Sequence, residues 1–128
     1  MSSVVLDASA VITALNQEGG ADRLTPDLLR NAVSSTVNLA EVQSKLVDRG
    51  VPADEAWRVT LNSVREAIPF TAGHAKTAGD LIAKTRALGL SLGDRACLAL
   101  ALALNAPVYT ADRSWKKLRL GIRIHVIR

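Results

Sequence analysis

Short runs of branched apolar residues alternate along this chain with longer stretches that carry helical spacing. Residues 3–7, 33–37, 107–111 and 122–127 read as strands, because they are brief, rich in Val, Ile, Thr or Tyr, and bounded by polar or turn residues. Ile68-Pro69-Phe70 reads as a short edge strand, since proline is excluded from a central ladder. Between these, helices are expected over 8–16, 25–32, 39–49, 52–67, 72–88, 93–105 and 113–118. Thr25 and Pro26 supply a cap and a first-turn proline. Gly50 and Gly89 close the helices before them, and Gly19-Gly20 breaks the chain after the first.

The stretch 93–105 is ambiguous by period alone. Leu98, Leu100, Leu102 and Leu104 alternate with alanine as strand residues would. Ala and Leu are nevertheless strong helix formers, β-branched residues are absent, and Asn105-Ala106-Pro107 supplies a stop. The expectation is a helix that is apolar all round and buried at the centre of the fold. Strands alternating with helices imply an α/β fold, with a mostly parallel central sheet of four to five strands covered on both faces. No repeat, linker or low-complexity segment divides residues 1–128, so a single domain is expected.

Composition narrows the functional classes. The chain has 128 residues with 48% hydrophobic and 22% charged, ordinary for a globular domain. Aromatics are 3%, which disfavours a base-stacking sheet of the RNA-recognition or OB kind. Net charge is +4, a mild preference for a polyanionic partner. The single cysteine, Cys97, lies in an apolar setting and reads as a core residue. The first strand begins too early for a signal peptide, and the longest apolar run, Ala96 to Leu104, spans nine residues, too few for a bilayer. A cytoplasmic protein with no membrane partner is expected.

Four carboxylates stand where such a fold would gather them. Asp7 ends the first strand and Asp112 follows 107–111, while Glu41 and Asp94 open helical stretches. The carboxyl ends of parallel strands share one rim, where ligands bind. Acids clustered there suit hard divalent cations and phosphoryl chemistry. Each acid also has a structural explanation. Asp7 and Asp112 can cap the helices that follow them. Asn38-Leu39-Ala40-Glu41 and Ser91-Leu92-Gly93-Asp94 both have the spacing of a capping box. Capping needs no common location, however, and these four converge. Ser9 and Thr110 lie two residues from Asp7 and Asp112 and can orient a carboxylate or a metal-bound water.

These residues resemble those of the PIN-domain ribonucleases, and among them the VapC toxins of prokaryotic toxin–antitoxin pairs. Val4-Val5-Leu6-Asp7-Ala8-Ser9 is similar to the family's first-acid segment and Thr36-Val37-Asn38-Leu39-Ala40-Glu41-Val42 to its second. Leu90-Ser91-Leu92-Gly93-Asp94-Arg95-Ala96 resembles the third, and Val108-Tyr109-Thr110-Ala111-Asp112 the fourth. The resemblance covers essentially the whole chain. It implies a PIN-like three-layer α/β/α fold and Mg²⁺- or Mn²⁺-dependent cleavage of RNA, with Asp7, Glu41, Asp94 and Asp112 as catalytic metal ligands. It also implies a homodimer and inhibition by a small cognate antitoxin protein.

Arg86, Arg95, Arg113 and Lys116 flank the motifs and could contact RNA phosphates, although solvated helix faces explain them equally. Trp57 and Trp115 read as packing anchors, and His74 and His125 as packing or surface residues. Val42, Leu46 and Trp57 are expected to offer an apolar groove to the antitoxin. A HAD-type phosphatase would need an acid at position 9, where serine stands. A receiver domain would need an acidic pair after the first strand. A nuclease acting on DNA or structured nucleic acid, or a catalytically silent PIN-like interaction module, remains open.

Overall fold

Val5 and Leu6, neighbours on the first strand and both fully buried, pack into two different cores. Successive strand side chains point to opposite faces, so a strand covered on both sides must divide its residues this way. The computed structural model describes residues 2–128. Its sheet consists of β1 (Val4–Leu6), β2 (Ala32–Ser35), β3 (Glu66–Ile68), β4 (Val108–Thr110) and β5 (Ile124–Val126). The strands run in the order β3-β2-β1-β4-β5 and every pairing is parallel.

The helices are α1 (Ala8–Asn16), α2 (Pro26–Leu29), α3 (Thr36–Asp48), α4 (Ala53–Asn62), α5 (Ala72–Asp80), α6 (Ile82–Thr85) and α7 (Leu92–Leu104). Leu6, Val11, Leu39, Val42 and Leu46 form the core between the sheet and the layer of α1, α3 and α4. Val5, Val33, Leu98, Leu100 and Trp115 form the other, beneath α7. This is the expected three-layer α/β/α arrangement, with five strands and no antiparallel member. The helix read from 93–105 is present as α7. Ala96 through Ala101 are buried along it, and it packs across β1, β2 and β4.

Several expected boundaries move. The strand read over 33–37 ends at Ser35, whose hydroxyl accepts the Val37 amide and caps α3 early. Asn38 therefore lies inside α3, and the Asn38–Glu41 capping box does not form. The helix expected over 52–67 stops at Asn62, and 66–68 becomes the edge strand in place of 68–70, because Val33, Ser34 and Ser35 offer it a ladder. The long helix expected over 72–88 divides into α5, α6 and a 3₁₀ turn at Arg86–Leu88. The bend drives Leu81 and Leu90 into the α7-side core. The helix expected over 25–32 shortens to α2, and 113–118 is a 3₁₀ turn at Arg113–Lys117.

Candidate active site

β1 lies between β2 and β4, so connections leave it toward opposite edges and open a crevice at its carboxyl end. Asp7 stands at that point, immediately after β1, and Asp112 lies two residues beyond β4. Glu41 sits in the second turn of α3, the helix that follows β2. Asp94 is in the first turn of α7, which crosses the same strands from the opposite face. The sheet order thus brings the ends of four segments, far apart in sequence, to one rim.

Asp7 is 3% exposed, and three hydrogen bonds reach its carboxylate from the protein side. Its Oδ1 accepts the Ser9 hydroxyl at 2.7 Å and the Ala10 amide at 2.8 Å, and its Oδ2 accepts the Thr110 hydroxyl at 2.6 Å. Ser9 and Thr110 are fixed in turn, since Ser9 Oγ accepts the Ala111 amide and Thr110 Oγ1 accepts the Asp112 amide. One hydroxyl pair therefore ties the first acid to the backbone of the fourth. Burial pushes the Asp7 carboxyl up to about 6, the three hydrogen bonds hold it down in part, and the Asp94 charge adds to the rise.

Asp94 completes a capping box with Ser91: its Oδ2 accepts the Ser91 amide at 2.9 Å, and Ser91 Oγ accepts the Asp94 amide at 3.1 Å. No described residue donates to its Oδ1. Asp112 Oδ1 likewise caps Ser114 through its amide and hydroxyl, leaving Oδ2 without a donor. Capping and site roles are therefore compatible, one oxygen serving each.

Glu41 is held by a pair of residues that the sequence did not mark. Asn38, 1% exposed, donates from Nδ2 both to Glu41 Oε1 and to the Gly93 carbonyl, each at 3.0 Å. It thereby staples α3 to the start of α7. Gly93 lies so close that a Cβ built on it would fall 2.3 Å from Glu41 Oε1. Beneath them Cys97 is fully buried, and its thiol is pushed well up, first by desolvation and then by the charges of Asp7, Asp94 and Glu41. All three charges lie within reach of this thiol. The exposed Asp112 is joined to them through Thr110.

The donor set fits a hard divalent cation, being all carboxylate oxygen around a buried acid that is costly to ionise. Among the described residues, no three carboxylate, histidine or cysteine groups stand in position to share one ion.

The basic residues separate. Arg86, Arg113 and Lys116 are exposed, Arg113 beside Asp112 with its Nε donating to the Arg128 carbonyl. Arg95 instead donates to the Ala78 carbonyl at 2.9 Å, and its Nε is buried without a partner, so it joins α7 to α5 and does not face the rim. Trp115 is fully buried as expected, whereas Trp57 is 39% exposed. Val42 and Leu46 are buried in the core and offer little surface to a partner.

Residues 4–120 match the PIN domain family. No curated protein matches the chain. Among solved structures, VapBC2 from Rickettsia felis, bound to a DNA fragment from its promoter, is similar at a TM-score of 0.72 and 21% identity, covering 98% of both chains. The DNA-bound VapBC of Salmonella typhimurium is similar at 0.75 and 17% identity, covering 100% of both. VapC20 of Mycobacterium tuberculosis, a sarcin–ricin loop cleaving toxin, is similar at 0.71 and 19% identity, covering 94% of this chain and 99% of its own. At these identities the likeness establishes the fold.

Proposed function

Because the chain belongs to the PIN domain family, we propose that it is a metal-dependent endoribonuclease and the toxin of a toxin–antitoxin pair. The observation that carries this reading is a pair of ties at one rim: Thr110 joins Asp7 to the Asp112 amide, and Asn38 joins Glu41 to the Gly93 carbonyl beside Asp94, at the crevice where a parallel sheet binds its ligand. Asp7 and Asp94 would hold the ion, with Glu41 and Asp112 completing the set. A bound Mg²⁺ or Mn²⁺ would supply Lewis acidity toward the phosphate and a water ionised near neutral pH.

The chain's own groups supply position. Ser9, Thr110 and the Ala10 amide fix Asp7, while Asn38 and Gly93 fix Glu41. Asp94 and Asp112 each keep an oxygen free of hydrogen bonds. Arg113 and Lys116, exposed beside Asp112, are placed to hold the phosphates of the strand being cut. The four acids read phosphates and not sugars, so a DNA-directed nuclease shares this geometry. RNA is preferred here for the likeness to VapC20, which cleaves an RNA loop.

No described helix is long and apolar enough to cross a membrane. We place the protein in the cytoplasm, where an uncontrolled ribonuclease needs an inhibitor. The similar proteins occur as VapBC toxin–antitoxin assemblies, and a homodimer bound by a cognate antitoxin is the proposed resting form. An apolar groove of about 590 Å³, lined by Ala14, Leu15, Pro26, Leu29 and Val64, lies at the end of α1 remote from Asp7. It replaces the Val42 and Leu46 surface as the seat for an apolar antitoxin segment. The test is direct: incubate the protein with tRNA, rRNA and single-stranded DNA in Mn²⁺ or in EDTA, and map the cut ends. RNA cleavage only with metal is expected. Cleavage undiminished by EDTA, or none with any substrate, overturns the reading.

A further inference from the structure

The last strand carries a pattern that the acid site does not explain. Ile122 and Ile124 both pack into the α7-side core, so Arg123 and His125 face the other way. On that side His125 stacks on Tyr109, its register partner on β4, with ring centroids 4.6 Å apart and planes inclined by 18°. β5 is an edge strand. With Tyr109 covering one face of the imidazole, the other face opens past the sheet's edge, and His125 is exposed.

Two arginines bond carbonyls of the segment that carries this ring. Arg23 reaches the Val126 carbonyl, and Arg113 reaches the Arg128 carbonyl at the strand's end. Arg123 precedes the ring by two residues, about 7 Å along a strand and close to the spacing of successive phosphates. Of the nearby acids, Glu18 is paired with Arg128, and Asp22 lies next to Arg23. Tyr109 is also one residue before Thr110, which holds Asp7, and three before Asp112. The surface therefore leads directly to the acid rim.

We propose that this edge of the sheet, with Arg123 and Arg113 beside the Tyr109–His125 stack, is the track on which single-stranded RNA lies as it enters the site. One unpaired base stacks on the open face of His125 and extends the two-ring column. The arginines hold the phosphates on either side. A base and an aromatic ring stack without regard to sequence, so the track supplies hold and direction and not a code. The plain alternative is that His125 and Arg123 only protect an exposed edge from pairing with another strand. Charge alone suffices for that, whereas the track requires the ring.

The proposal rests on the ribonuclease reading, and its test separates the two. Anisotropy of a labelled unstructured RNA 12-mer is measured in EDTA, where nothing is cut, for wild type, His125→Ala, His125→Phe and His125→Lys. Inorganic polyphosphate serves as the base-free competitor. His125→Ala should bind RNA about tenfold more weakly, the loss of one base stack. His125→Phe should restore binding, and wild type, His125→Ala and His125→Phe should bind polyphosphate alike; His125→Lys should tighten polyphosphate binding without restoring the preference for RNA over polyphosphate. Equal RNA binding by wild type and His125→Ala, rescue of that preference by lysine, or no RNA binding at all would overturn the track. If the ring effect holds and the wild type cuts no RNA with Mn²⁺, the track stands and the nuclease reading falls.

Discussion

The carboxylate of Glu41 rests against the α-carbon of Gly93, where no side chain could be accommodated without displacing it. Only glycine lets the start of α7 approach α3 so closely, and Asn38 then bonds both partners. Gly93→Ala should push the flexible end of Glu41 aside at little structural cost. Alanine also raises helix propensity by about 1 kcal/mol. The melting temperature should therefore stay near that of wild type or rise, while Mn²⁺ affinity and RNA cleavage fall at least tenfold. Calorimetric titration and a cleavage assay on one preparation check this. Undisturbed metal binding would remove Glu41 from the site.

Asp7 predicts a pH dependence of stability. Its carboxyl is raised from 3.8 to about 6 in the folded protein, so the folded state binds more protons than the unfolded one between those values. Stability in EDTA should fall as pH rises through that window, by up to about 3 kcal/mol from this group. Asp7→Asn should flatten the slope, so wild type minus mutant in urea unfolding from pH 4 to 7.5 isolates it. Thr110→Val removes the strongest hydrogen bond holding the carboxyl down, so the loss should extend to higher pH.

Asp94→Asn separates the cap from the site. It weakens the capping box, costing about 0.5–1 kcal/mol, and relieves repulsion with Asp7, so the metal-free mutant should melt close to wild type. Millimolar Mn²⁺ should raise the wild-type melting temperature by mass action and leave the mutant nearly unmoved. Thermal melts with EDTA and with Mn²⁺ supply the comparison. A wild type indifferent to Mn²⁺ would mean that the acids serve as caps alone.

Induced expression without a partner should arrest growth for the wild type and not for Asp94→Asn at equal protein level. Growth curves with immunoblots check it, and equal toxicity would rule out catalytic poisoning. Arg95→Met should leave cleavage within about twofold and instead lower stability, by about 1–3 kcal/mol, because the Ala78 carbonyl loses its donor.

The legible parts of the fold were those where one residue type answered one need. Val4-Val5-Leu6 and Val108-Tyr109-Thr110 could only be buried strands, and an acid just past such a strand already lies at the ligand rim of a parallel sheet. β3 was obscured because Glu66-Ala67-Ile68 are partly exposed on an edge and show no alternation, and their conformation comes from the ladder that β2 offers. Asn38 and Gly93 were hidden for another reason. Their function is a contact between α3 and α7, 55 residues apart, and nothing local to either segment specifies it. Arg95 misled in the same way, since the carbonyl it serves lies on α5.

The place of β1 in the sheet also sets when the protein can act. β1 carries the first acid at residue 7, yet its neighbour β4 ends at Thr110 and the last acid is residue 112. The crevice that Asp7 and Asp112 share is assembled only once β4 has paired with β1. Pairings of such wide sequence separation form slowly. Until that pairing closes the proposed site does not exist, so on the ribonuclease reading an inhibitor that reaches the chain first would meet it before its first turnover.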